Sequence, residues 1–170
     1  EKFFARCREA GVDGIIIPDL PFEEQDEVRA AASPQGVDLI SLVAPTSEER
    51  IREIVKSAEG FLYLVSSLGV TGIRGEIKTD LPAILSLVKA ATAERTAGRL
   101  PVAVGFGIHS TAQAAEIGKY ADGIIVGSAI VKIVEEHGEA AGKFIYDYVK
   151  SMKEAAGGGS PAKCSAFCHF

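Results

Sequence analysis

KFFARCREAGVDGIIIPDL, residues 2–20, decides between the two folds that the rest of the chain allows. Phe3, Phe4, Cys7 and Ala10 recur along one side of a helical stretch, and Gly11 supplies its C-terminal stop. Gly14–Pro18 follows as an almost continuous apolar run, the pattern of a parallel strand covered on both faces. A helix therefore precedes the first strand, with no capping residue and no upstream strand to cross from. That arrangement predicts a crossover helix belonging to a longer repeat.

Four further runs of the same kind lie at Asp38–Val43, Phe61–Val65, Pro101–Gly105 and Gly123–Gly127. Helical segments separate them. Glu23 to Ala32 is helical in composition and is closed by Pro34 and Gly36. Thr46 and Glu49 form a predicted capping box ahead of Ile51, Ile54, Val55 and Ala58, which share one helix face. Asp80 is placed to cap a helix lined by Leu81, Ile84, Leu85 and Val88, with Pro82 tolerated in its first turn. Ser110 and Gln113 form a second capping box before Ala114, Ala115 and Ile117. Ala141, Phe144, Ile145, Tyr148, Val149 and Met152 mark a long amphipathic helix near the end.

Alternating strands and helices imply a parallel sheet with right-handed crossovers. Length favours a five-stranded doubly wound sheet, because 170 residues fall short of the about 250 of a full eight-unit barrel. The opening helix favours the other architecture, five units of a TIM (β/α)8 barrel. The expected fold is thus α/β, an incomplete barrel over residues 1–155, with strands in sequential order and open edges at Gly14–Pro18 and Gly123–Gly127. Residues 156–170, with Gly157–Gly159, Ser160 and Pro161, have linker-like composition and are expected to be a disordered tail.

A hydrophobic fraction of 47% and a charged fraction of 24% are those of an ordinary globular protein. No apolar run approaches the roughly 20 residues of a membrane-spanning helix. A formal net charge of −5, without clustered Lys and Arg, argues against nucleic acid as a partner. Cys7 reads as a small core residue, and Cys164 and Cys168 do not form a CxxC pair, so no metal site is expected. This cysteine usage suits a reducing cytoplasm.

In parallel α/β folds ligands gather at the C-terminal ends of strands. Ser66–Glu76 is a long, glycine-containing segment after one strand, suited to a lid or to a plain surface connection. Gly105-Phe106-Gly107-Ile108 and Gly127-Ser128-Ala129 lie at successive strand-to-helix junctions. Small residues there let backbone amides at helix N-termini reach an anion, although tight turns alone would also use glycine. Asp19, just past the first strand, fits either a site-facing carboxylate or a turn residue. Tyr63 lies on the third strand, where core packing is the default, and His109 reads as a solvated residue. These residues define a barrel that binds a phosphorylated small molecule and no particular reaction.

GVDGIIIPDLPFEE (11–24), LVAPTSEERI (42–51), YLVSSLGVTGIRGEI (63–77), PVAVGFGI (101–108) and ADGIIVGSAIVK (121–132) together resemble the tryptophan synthase alpha chain family. The resemblance runs from Glu1 to about Ala155 and implies the last five units of the barrel. It implies a lyase of tryptophan biosynthesis that cleaves indole-3-glycerol phosphate to indole and glyceraldehyde 3-phosphate. Its partner would be a tryptophan synthase beta chain, in a heterotetramer of two alpha and two beta chains. Pyridoxal phosphate belongs to that beta chain, and no cofactor is implied for this one.

By the same resemblance, phosphate-binding backbone falls on Gly72, Phe106, Gly107, Gly127 and Ser128. The lid corresponds to Gly69–Glu76, with Thr71 closing over the site; Tyr63 lines the pocket, and Asp19 lies beside it. The family's catalytic glutamate and aspartate come from early strands, the aspartate within a Pro-Phe-Ser-Asp-Pro segment that does not occur here. No catalytic residue is therefore assigned, and Glu23 and Glu24, at a helix start, do not substitute. The expected behaviour is phosphate binding without cleavage. The alternatives are a non-catalytic phosphate-binding or beta-chain-docking module, and another phosphate-binding barrel enzyme such as a phosphoribosyl isomerase.

Overall fold

The computed structural model describes residues 2–45, 47–65, 81–96, 98–105 and 107–157. The chain runs α1 (Lys2–Glu9), β1 (Gly14–Ile15), α2 (Gln25–Ala32), β2 (Asp38–Leu39), β3 (Ser41–Val43), α3 (Glu48–Ser57) and β4 (Leu62–Val65). It continues through α4 (Leu81–Ala93), β5 (Val102–Gly105), α5 (Thr111–Ile117), β6 (Gly123–Ile124), α6 (Ser128–His137) and α7 (Ala141–Ala155). Every strand pairing is parallel, in the order β1-β2 and β3-β4-β5-β6. Sequential order excludes the doubly wound alternative, in which a strand would be inserted out of turn.

Alternation of side chains divides this sheet into two faces. Val43, Leu64 and Val104 pair in one row, Leu62 and Val102 in another, and all are fully buried. They pack on Ile51, Ile54 and Val55 of α3, Leu85 and Val88 of α4, Ala114 and Ile117 of α5, and Met152 of α7. Fully burying side chains of this size contributes about 1.5–3 kcal/mol each, so this layer dominates stability. A smaller cluster joins Phe4, Ala32 and Val37 with Cys7, Ile15 and Val28 at the β1 end.

The run at residues 38–43, expected as one strand, changes partner at Ile40. Its first half pairs with β1 and its second with β4. The outermost strands are also shorter than expected, Gly14–Ile15 and Gly123–Ile124, and neither is covered on both faces. Ile16 is 40% exposed. Each of these strands has one neighbour, so a single ladder holds it and one face keeps access to solvent. Phe3, expected on the buried side of α1, is exposed and meets Phe4 edge-on at 5.2 Å. Gly11 has φ +72, as its role of helix stop requires.

Capping follows the sequence at α5, where Ser110 and Gln113 complete the predicted box. At α3 the cap is Ser47, whose side chain accepts from Arg50 N, in place of the expected Thr46–Glu49 pair. Ser47 wins because it adopts the extended backbone of an N-cap one residue before the first helical turn. Thr46, Asp80 and residues 158–170, which hold all but the first two residues of the expected tail, lie outside the described residues. The far end of α3 is held by Arg95, which donates to Val55 O at 2.8 Å and Ala58 O at 2.7 Å. A cation there satisfies carbonyls that the helix leaves unpaired.

Asp122 locks the start of β6 to β5. It accepts from Val102 N at 3.0 Å and from Arg99 Nη2 at 2.6 and 2.7 Å, with Lys89 3.7 Å away. Burial pushes its pKa up, but Arg99, the Val102 amide and Lys89 outweigh this and hold it below the ordinary aspartate value. A lowered native pKa gives stability that is present above the unfolded value and is lost as pH falls through the native one. Asp122→Asn is therefore expected to cost roughly 1.5 kcal/mol at pH 7, the scale of a hydrogen bond to a charged group. In urea titrations the gap to the wild type should close on acidification below about pH 4. A gap that does not narrow at all on acidification would mean that packing, and not charge, carries the effect.

Candidate phosphate site at the ends of β5 and β6

Leu42, Tyr63, Ala103 and Gly123 form one row across β3, β4, β5 and β6, on the face away from the helices. Tyr63 is half-buried there, and burial raises its pKa, so the phenol stays protonated at neutral pH. Its ring lies over Gly105 so closely that a Cβ at that position would collide with Tyr63 Oη. Gly105 therefore has a packing reason, to make room for the tyrosine.

β5 leads into Gly107, whose φ of +76 favours glycine, and among the described residues nothing lies within 4 Å of where a Cβ would project. His109 Nδ1 donates to Gly107 O at 2.9 Å, and Tyr148 Oη of α7 donates to His109 O at 3.1 Å. His109, read from sequence as solvated, thus holds the glycine turn in place. Sequence reasoning missed this pair because Tyr148 lies 39 positions away and only the packing of α7 on α5 brings it near.

The helices after β5 and β6 differ at their first turns. In α5, Gln113 Oε1 accepts from His109 N at 3.0 Å and Ser110 N at 3.1 Å, and Gln113 N donates to Ser110 Oγ. The box thus takes the amides of His109 and Ser110, just before the helix, and of Gln113, its third residue. In α6 the N-cap is Gly127, which offers no side chain, while its carbonyl accepts from Ile130 N and Val131 N. Among the described residues nothing accepts from Ser128 N or Ala129 N. Gly127 and Ser128 are exposed, and among the described residues no atom lies within 4 Å of where a Cβ on Gly127 would project. Because Ile125 N donates to Val104 O at 2.8 Å, these free amides rise from the strand beside the one that leads into Gly107. Two adjacent strand ends thus bring together an open glycine turn and an uncapped positive helix end, the physical requirements for an anion.

Residues 1–157 match the tryptophan synthase alpha chain family. The chain belongs to that family. It is 45% identical over 157 residues to the tryptophan synthase alpha chain of Lactiplantibacillus plantarum, covering 92% of this chain and 57% of that one. Against the Geobacillus kaustophilus alpha chain identity is 51% over 136 residues, covering 80% and 48%. Among solved structures, a tryptophan synthase α2β2 complex from Pyrococcus furiosus, described for the mutual activation of its subunits, superposes with a TM-score of 0.74. It is 35% identical, covering 89% of this chain and 60% of that one. The alpha subunit from Campylobacter jejuni gives a TM-score of 0.69 at 31% identity, covering 91% and 56%. The chain spans about half to three fifths of the length of these relatives, and its fold is an incomplete (β/α)8 barrel.

Of the residues expected to bind substrate, Tyr63, Gly107, Gly127 and Ser128 lie at or near the C-terminal ends of β4, β5 and β6. Asp19 is exposed in a turn closed by Leu20 N donating to Ile17 O at 3.2 Å, and no hydrogen bond joins it to the other four. Thr71, Gly72 and Phe106, and with them the lid at 69–76, lie outside the described residues. Glu23 pairs with Arg50 at 2.6 Å, which holds its carboxyl below the usual range and leaves it unsuited to act as an acid. Among the described residues no cluster of His, Cys, Asp and Glu could hold a metal, and no helix is long and apolar enough to cross a membrane.

Proposed function

We propose that residues 1–155 are the phosphate-gripping part of a tryptophan synthase alpha chain, acting on indole-3-glycerol phosphate in tryptophan biosynthesis in the cytoplasm. The observation that carries this reading is the start of α6, where no side chain caps the helix and Ser128 N and Ala129 N have no acceptor among the described residues. The sequence closes one helix end with Ser110 and Gln113 and leaves the adjacent one to a glycine. The phosphate would sit on Ser128 N and Ala129 N with the Gly107 turn beside it. Thr71, Gly72 and Phe106 would complete the grip by family resemblance. Tyr63, protonated and half-buried, would line the pocket toward the apolar end of the substrate, and Asp19 would lie at its margin. A tryptophan synthase beta chain is the proposed partner, as in the α2β2 relative.

Such a grip favours ground and transition states alike and so gives binding more than turnover. Cleavage needs one group to protonate the indole carbon and another to take the glycerol hydroxyl proton. Among residues 1–170 we assign neither.

Ser128→Pro tests the grip. Proline is tolerated at the first helical position and removes one donor there. Calorimetric titration with glycerol 3-phosphate should show binding at least tenfold weaker, since a charge-assisted hydrogen bond contributes about 1.5–3 kcal/mol. Unchanged affinity with a preserved circular dichroism spectrum would remove α6 from the site.

A further inference from the structure

We propose that the wedge between β1 and β3 binds a neutral, planar, mostly apolar small molecule that carries a hydrogen-bond donor and acceptor side by side, as a lactam does. In the strand spanning residues 38–43, Asp38 N donates to Asp13 O and Ile40 N to Ile15 O, both at 2.9 Å. Parallel ladders alternate, so Leu42 is the next residue to turn its N–H and C=O toward β1. The expected acceptor, Ile17 O, is taken by Leu20 N instead, and Pro18 brings no donor. β1 turns away here, and among the described residues no partner meets the Leu42 amide.

A cavity of about 320 Å³ fills the gap, at the small end of ligand pockets. Apolar residues line much of it, among them Ile17, Leu20, Phe22, Leu39 and Ile54, and polar atoms line the rest. One polar side chain lies deep in it. Gln25 is only 9% exposed, and its Oε1 receives a single long bond from Arg29 at 3.4 Å. Arg50 borders the cavity but is already engaged by Glu23 and Glu53 and lies over the Phe22 ring at 4.8 Å. The charge is spent, which selects a neutral ligand. A lactam ring would answer the N–H and C=O of Leu42 with its own paired edge, stack along the apolar walls, and leave its remaining acceptor to Gln25 Nε2. None of Tyr63, Gly107, Gly127, Ser128 and Asp19 lines the cavity, so this site is separate from the proposed phosphate grip.

Saturation-transfer NMR on the whole 170-residue chain at low micromolar concentration, with quinolin-2-one and its N-methyl derivative, tests the assignment. Quinolin-2-one should receive saturation, and N-methylation should weaken it at least tenfold by removing the donor. Ala44 is exposed at the mouth, so Ala44→Trp should block the lactam while glycerol 3-phosphate binding stays unchanged. If Ala44→Trp loses both ligands, Gln25→Leu decides: it keeps the apolar fill and should still weaken the lactam severalfold. No transfer to quinolin-2-one at millimolar concentration would overturn the proposal, as would equal transfer to both compounds or displacement by glycerol 3-phosphate. Phosphate binding in the same samples reports separately on the α6 grip, so either reading can fail alone.

Discussion

The 170 residues by themselves are expected to release no detectable indole from indole-3-glycerol phosphate, even where glycerol 3-phosphate binds. Proton transfer by a positioned acid or base contributes typically about 10²–10⁴-fold each. Loss of both leaves a rate roughly 10⁴–10⁸ below that of a whole enzyme. The resembling family draws these groups from segments with no counterpart here, and the nearest carboxylate at a helix start, Glu23, is tied to Arg50. Supplying the N-terminal barrel units of a related alpha chain as a separate polypeptide should restore part of the activity. It would cover the exposed faces at β1 and β6 and bring the missing carboxylates to the strand ends. A colorimetric indole assay on the chain alone and on the mixture checks both statements. Robust release by the chain alone would place its acid and base among the residues described, with Asp19, exposed past the end of β1, the first to be substituted.

Gly107→Asp should abolish phosphate binding at physiological salt. Two effects act in the same direction. A side chain at φ +76 is strained by roughly 1–2 kcal/mol, and a carboxylate about 4 Å from a phosphate is repelled by about 1–4 kcal/mol per unit charge between bulk-water and surface dielectric values. Together they predict a loss of two to four orders of magnitude by calorimetry. Gly107→Asn separates them, because asparagine has the same shape, tolerates this backbone region better than most residues and carries no charge. It should keep most of the affinity, and raising the salt concentration should narrow the gap between the two variants. Equal losses for Asp and Asn would show that the turn's shape matters and that no anion sits near residue 107.

Local signals decided much of this protein. The apolar runs, the stop at Gly11, the Ser110–Gln113 box and the glycines at 107 and 127 act over a few residues. Their physics, a 3.6- or 2-residue period, a required φ or a cap three positions away, is complete within the sequence window. They were enough to set a parallel α/β order and to point at the ends of β5 and β6. Tertiary structure decided the rest. It shortened β1 and β6, because ladder length depends on whether a neighbour lies on each side. It put the cap of α3 on Ser47, whose extended backbone lets its side chain accept from Arg50 N. It also gave His109 its hold on Gly107, through Tyr148 from a distant helix. The sharpest division lies at the two helix ends: composition presents both as anion sites, but a hydrogen bond from an amide goes to one acceptor or another. Only the folded geometry shows that Ser110 Oγ takes the third amide of α5 while no side chain caps α6, whose Ser128 N and Ala129 N have no acceptor among the described residues.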